Sequence, residues 1–192
     1  MVRGVGVRAR SAHGEDVRTP AELARAAVEH GAVQKESELR WFVGFLRHHF
    51  SQRMGRVLEI GCKDGGTLWL WRQLADEVVG VDVNPVPVAY QGVQVIQADS
   101  HKVVVDGLFD MVFIDGDHSY DGVLADWDRF SKLTRLVALH DIVPGTDGRA
   151  VDALWAILRA SYDTREWVDP ASFPVRGETL GIEDGGIGAV LL

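Results

Sequence analysis

Val57-Leu-Glu-Ile-Gly-Cys-Lys-Asp-Gly-Gly-Thr67 is the stretch that decides the fold. An apolar run ends at Glu59–Ile60, the chain turns at Gly61, and Gly65-Gly66 lead into the helical pattern Thr67–Ala75. A strand that passes through a glycine turn into a helix is the opening of a βαβ unit, because only glycine allows so tight a turn and so close an approach to the backbone. A βα turn that holds no ligand remains an open reading of this string. Outward from it, short apolar runs alternate with helical patterns. The strands expected are Arg56–Ile60, Val78–Val83, Val93–Ala98, Phe109–Asp115, Arg135–His140, Thr164–Val168 and Ile187–Leu192. The middle runs are almost continuously apolar, as strands covered on both faces of a parallel sheet must be. Helices are expected at Tyr120–Leu133, with Val123, Leu124, Trp127 and Phe130 on one stripe, and at Arg149–Ser161, with Val151, Leu154, Trp155 and Leu158. The alternation reads as a doubly wound α/β fold.

Two helices precede the first strand. Thr19-Pro-Ala-Glu22 has capping-box spacing with proline at the first helical position, and Gly31 stands where a C-terminal cap belongs. Leu39, Phe42, Val43, Leu46 and Phe50 give the second. Residues 1–16 lack periodicity and read as a mobile tail, leaving 17–192 as one domain. Asp169–Gly186, with Pro170, Pro174 and four glycines, is the longest irregular stretch and reads as a lid, a binding loop or local disorder.

Composition narrows the function. Of 192 residues 46% are hydrophobic and 25% charged, as in an ordinary soluble domain, and the net charge is −8. That balance opposes nucleic-acid binding, which needs clustered Lys and Arg. The uncharged run Val83–Ala98 is too short to cross a membrane and carries Pro85 and Pro87. Met1–Arg10 holds three arginines with no apolar stretch after it, unlike a secretory signal. With Cys62 as the one cysteine, no internal disulfide can form, and a cytoplasmic location is expected.

The chemistry of the glycine turn selects the ligand. A dinucleotide turn G-x-G-x-x-G would need glycine at 63, where Lys63 stands, and Glu59 and Asp64 are unfavourable beside a pyrophosphate. S-adenosylmethionine (SAM), with a sulfonium, an ammonium and no phosphate, tolerates those carboxylates. Asp82 closes the second strand, where a carboxylate can accept from both ribose hydroxyls, and Asp99 closes the third, within reach of an adenine amino group. Taken singly, each is equally a solvated strand-end acid. Four successive strands ending in Glu59, Asp82, Asp99 and Asp115 favour a ligand at the carboxyl edge.

In these residues the chain resembles the class I SAM-dependent methyltransferases: E-x-G-x-x-x-G at Glu59–Gly65, then Asp82 and Asp99, in order and spacing. The resemblance covers about residues 34–192. It implies a Rossmann-like sheet of seven strands in the order 3-2-1-4-5-7-6 with the seventh antiparallel. It further implies that Glu59, Gly61 and Gly65 border the methionine part of SAM, Asp82 the ribose and Asp99 the adenine. FIDGDHSYDGVLADW at Phe113–Trp127, with LHD at Leu139–Asp141, resembles more narrowly the small-molecule O-methyltransferases related to the macrocin and mycinamicin enzymes. That likeness implies Asp115 as a metal ligand, His118 as the base, and His140 and Asp141 as the remaining ligands of a divalent cation, Mg²⁺ or Mn²⁺. His140 departs from the group, which has a carboxylate there, and an imidazole favours Mn²⁺ or Fe²⁺ over Mg²⁺.

The residues alone also bring Asp115, Asp117 and His118 to one strand end and His140-Asp141 to its neighbour, a set suited to metal binding or proton transfer. Against this, Asp117 could simply cap the next helix, and residues 140 and 141 should point to opposite faces of a strand. Gln34 and Glu38, at the start of the pre-strand helix, could reach the SAM end of the sheet, with solvated helix surface the simpler reading. Cys62 and Trp69, Trp71, Trp127 and Trp155 read as packing, although one tryptophan could line the adenine or acceptor pocket, and His48-His49 has no metal-ligand spacing. The function expected is methyl transfer to a hydroxyl of a small molecule. A nicotinamide-dependent oxidoreductase and a non-catalytic SAM-binding or adaptor subunit are the alternatives. Beyond the sheet only the N-terminal helices and the Asp169–Gly186 loop are available to form an acceptor pocket, which leaves room for a neighbouring subunit, in a homo-oligomer, to complete it; the oligomeric state is not readable from the sequence.

Overall fold

The computed structural model describes residues 18–143, 150–170 and 185–192. The expected tail at 1–16 and most of the irregular stretch at 169–186 lie outside the described residues. Among the described residues the elements follow the order α1 (Pro20–Glu29), α2 (Glu36–His49), β1 (Met54–Ile60), α3 (Gly66–Leu74), β2 (Ala75–Asp82), β3 (Val93–Gln97), β4 (Met111–Ile114), α4 (Tyr120–Phe130), β5 (Leu136–His140), α5 (Val151–Ser161), β6 (Asp163–Trp167) and β7 (Ile187–Leu191). A 3₁₀ turn, Ser131–Leu133, extends α4.

The seven strands form one sheet in the order β3-β2-β1-β4-β5-β7-β6. Pairs among β1 to β5 are parallel, and β7 runs antiparallel between β5 and β6. This is the expected Rossmann-like sheet. One face carries α1, α2 and α3 over Phe42, Trp71, Phe113 and Met111; the other carries α4 and α5 through Val123, Trp127, Phe130, Leu154, Trp155 and Leu158. The tryptophans read as packing are all buried.

The N-terminal pair forms as its caps dictate. Thr19 Oγ1 accepts from the Glu22 amide at 3.2 Å while Glu22 Oε2 accepts from the Thr19 amide at 2.7 Å. Gly31 then takes φ +98°, a left-handed conformation that ends α1 cheaply only as glycine. The connection that follows lies directly on the start of α3: a Cβ on Gly66 would meet the Ala32 amide nitrogen at 1.9 Å. Gly66 is thus needed for the α1–α2 connection to sit over the glycine turn. No described helix is long and apolar enough to cross a membrane.

Candidate active site

Strand order reverses between β1 and β4, and ligands in open α/β sheets bind at the carboxyl ends of strands flanking such a reversal. Here Gly61 follows β1, Asp115 follows β4 and His140 ends β5. They border a cleft of about 310 Å³ together with Gln34, Lys63, Thr67, His118 and Asp141. That volume is at the lower end for small-molecule sites, roughly 300–1,000 Å³.

Asp115 is the centre of the cluster. Its Oδ1 lies 3.0 Å from His118 Nε2 and 3.3 Å from His140 Nδ1, and its Oδ2 accepts from Gln34 Nε2 at 2.5 Å. Asp141 joins through Oδ1, 3.1 Å from His140 Nδ1, and Oδ2, 3.5 Å from His118 Nε2. Strand alternation would separate 140 from 141, but Asp141 has φ +58°, and this left-handed residue just beyond β5 brings its side chain back beside His140. Two carboxylates and an imidazole, with ligand atoms within 4.8 Å of one another, form a group able to hold a metal ion.

Charge compensates burial here. Burial pushes the Asp115 carboxyl up, but His140 and His118 beside it hold it well below the usual carboxylate range. Burial lowers the His140 pKa, and Asp115 and Asp141 outweigh that, raising it to about 10. Burial likewise raises Asp141, and His140 brings it below its ordinary value. The two carboxylates thus favour the charged form of the imidazole between them.

His118 is placed by its neighbours on both sides. Ser119, not Asp117, is the N-cap of α4, its Oγ accepting from the Gly122 amide at 3.1 Å. Asp117 Oδ1 accepts from the Ser119 amide at 2.9 Å and shapes the turn before the helix. The His118 carbonyl accepts from the Ala150 amide at 2.9 Å, tying this turn to the start of α5.

The residues expected to meet a cofactor divide. Gly61 lines the cleft; Glu59, Gly65, Asp82 and Asp99 do not border it. Gly61 has φ +82°, and a Cβ there would strike the Asp115 carbonyl oxygen at 2.1 Å. Gly65, at φ +79°, leaves room for Val88 of the β2–β3 connection. Glu59 is wholly buried, accepts from the Thr67 hydroxyl, and burial raises its pKa well above the ordinary value. Asp82 Oδ2 accepts from the Cys62 and Lys63 amides at 2.8 and 2.9 Å, and Oδ1 from the Asn84 amide at 2.8 Å. It organises the glycine turn and keeps about one of a carboxylate's four acceptor positions open. Asp99 pairs with Lys102 at 2.8 Å, and its carboxylate is held below its ordinary value by that bond.

No family model matches the chain, and no curated protein matches it. Solved structures do. A Thermoplasma acidophilum protein of known structure aligns with TM-score 0.60 at 13% identity, covering 91% of this chain and 98% of that one. A putative caffeoyl-CoA O-methyltransferase from Staphylococcus aureus gives 0.58 at 16%, covering 91% and 93%. MycE methyltransferase from the mycinamycin biosynthetic pathway, in complex with Mg and SAH, gives 0.57 at 19%, covering 91% of this chain and 55% of that one. The fold is that of the SAM-dependent methyltransferases. The chain spans about half the length of MycE. N-methyltransferases share the fold as well: NodS from Bradyrhizobium japonicum with SAH bound gives 0.57 at 13%, covering 88% and 97%.

For the helical pair the simpler of the two sequence readings gives way, and the one that brings it to the ligand end of the sheet holds for Gln34. Gln34 and Glu38, read as solvated surface, are 5% and 0% exposed. Glu38 stands four residues before Phe42 on the buried stripe of α2, which was the available signal for it; Gln34 precedes the helix and had none. Cys62 behaves as expected: it is buried, and burial pushes its thiol pKa up.

Proposed function

We propose that the chain transfers a methyl group from SAM to a hydroxyl oxygen of a small molecule. The observation that carries this reading is the Asp115–His118–His140–Asp141 cluster, opening on a cleft bordered by the glycine turn at a strand-order reversal. Bound SAM would supply a methyl group activated on sulfonium. The cleft suits such a ligand: Lys63 is the lone lysine or arginine along its described wall, against the carboxylates Asp115 and Asp141, and a pyrophosphate would find little positive charge.

The donor set of Asp115, His140 and Asp141 also fits a divalent cation, with the imidazole favouring Mn²⁺ or Fe²⁺ over Mg²⁺. Such an ion would lower the pKa of an acceptor hydroxyl. The chain's own residues then do two things. Asp115 Oδ1, 3.0 Å from His118 Nε2, accepts its N–H and so orients the imidazole. The His118 imidazole would take the acceptor's proton as the acceptor oxygen bonds to the methyl carbon and the sulfur–methyl bond breaks, its electron pair passing to sulfur so that SAH leaves.

Calorimetric titration with S-adenosylhomocysteine (SAH) tests the reading: SAH binds and NAD does not. Asp82→Ala lowers SAH affinity by about 1.5–3 kcal/mol, the worth of one charge-assisted hydrogen bond. Unchanged affinity in that variant removes Asp82 from the ribose. Chelation tests the metal separately. Exhaustive treatment with a chelator should suppress methyl transfer and leave SAH affinity nearly intact, with activity restored by Mn²⁺. Full activity in protein shown by elemental analysis to be metal-free sinks the metal assignment and leaves His118 acting with the carboxylates alone.

A further inference from the structure

The helical pair that precedes the sheet reaches the chemistry at one point. Gln34, in the connection between α1 and α2, donates Nε2–H to Asp115 Oδ2 at 2.5 Å, across 81 residues of sequence. The first turn of α2 behind it is anchored on its other side: the Ser37 hydroxyl donates to the Asp169 carboxylate, and Glu38 Oε1 accepts from the Asp169 amide at 2.9 Å. Gln34 is therefore held by a turn fixed to the end of β6, and it in turn holds the carboxylate at the end of β4.

The Gln34 amide is a costly way to fill this space. It is 5% exposed, and its Oε1 is buried without a hydrogen-bond donor. A methionine would fill about the same volume with no orphaned acceptor, and a buried polar group left half satisfied calls for a reason beyond packing. The amide orientation follows from its partner, since a carboxylate must face N–H rather than C=O. With Oδ2 fixed by Gln34, the carboxylate cannot rotate, and Oδ1 stays directed at both His118 and His140.

The geometry points to Gln34 as the positioning residue of Asp115, a role that rests on the methyl-transfer reading for its effect on rate. Its N–H fixes the plane of the carboxylate on which the His118 orientation depends.

Gln34→Met keeps the bulk and removes the donor. The kcat for methyl transfer should fall by about 10–100-fold, the usual effect of losing a supporting hydrogen bond behind a reactive ligand. SAH affinity and melting temperature should stay close to wild type. Retained kcat overturns the proposal, as does a kcat loss accompanied by parallel losses of melting temperature and SAH affinity, which would make Gln34 a packing residue. The contact itself is read without turnover: in ¹⁵N NMR the Gln34 side-chain amide should be protected from exchange and should move in Asp115→Asn. Lack of protection overturns the proposal by itself. Failure of the wild-type protein to bind SAH overturns the methyl-transfer reading instead, and the amide resonance still decides the contact.

Discussion

His118→Ala is expected to lower the methyl-transfer rate by about 10²–10⁴-fold, the range general acid–base catalysis commonly supplies. SAH affinity should hardly change, because no cofactor contact is assigned to the imidazole. The fold should also survive. The N-cap of α4 is Ser119, so removing the side chain before it does not uncap the helix, and His118 is 26% exposed rather than a core residue. Native enzyme should show a single-turnover rate that rises with pH as the imidazole loses its proton, and the variant should lose that limb. An unaltered rate in the variant ends the general-base assignment. A lowered melting temperature with the pH limb intact would return His118 to a purely structural role at the start of α4.

How far such a site can be read from sequence depends on whether it is built by local or distant rules. The elements themselves are local in origin, whereas their order across the sheet was implied by the family resemblance: each apolar run, its flanking turn and the helix after it appear where pattern and caps place them, down to the capping box at Thr19–Glu22 and the left-handed Gly31. The convergence of Asp115 with His140 is also legible, since both fall at the carboxyl ends of adjacent parallel strands. Asp141 is different. Alternation sends it away from His140, and only its left-handed backbone returns it, a conformation nothing in LHD announces. Gln34 and Glu38 were hidden for another reason: their burial is imposed by Asp115 and Asp169, more than eighty residues away. The glycines of the turn were legible as glycines but not in their use. Gly65 and Gly66 make room for Val88 and for the Ala32 backbone, so a feature read as ligand approach is in part the packing of two connections on the start of α3.

Asp115→Ala should carry the largest cost in stability, and the cost should depend on pH in a defined direction. In the native cluster Asp115 balances His140, whose side chain is 7% exposed. Without Asp115 the imidazolium keeps only Asp141, and removing one partner of a buried charged cluster costs up to about 3–5 kcal/mol. For a chain of this length that corresponds to a melting temperature lower by roughly 6–20 °C. The pKa of His140 is raised by the fold from 6.5 to about 10. A raised pKa contributes stability that is full below the unfolded value and is lost as pH rises through the folded one. The gap between wild type and Asp115→Ala in chelator-treated protein should therefore be widest below about pH 6.5 and should close as pH approaches about 10. At the acid end the gap closes again, because the depressed Asp115 pKa contributes only above the ordinary carboxylate range and its share is lost as pH falls through the folded value. Thermal melts of both proteins across this range decide the matter: a gap that stays constant with pH would mean that Asp115 supports the fold by packing and hydrogen bonding, with no charge held on His140.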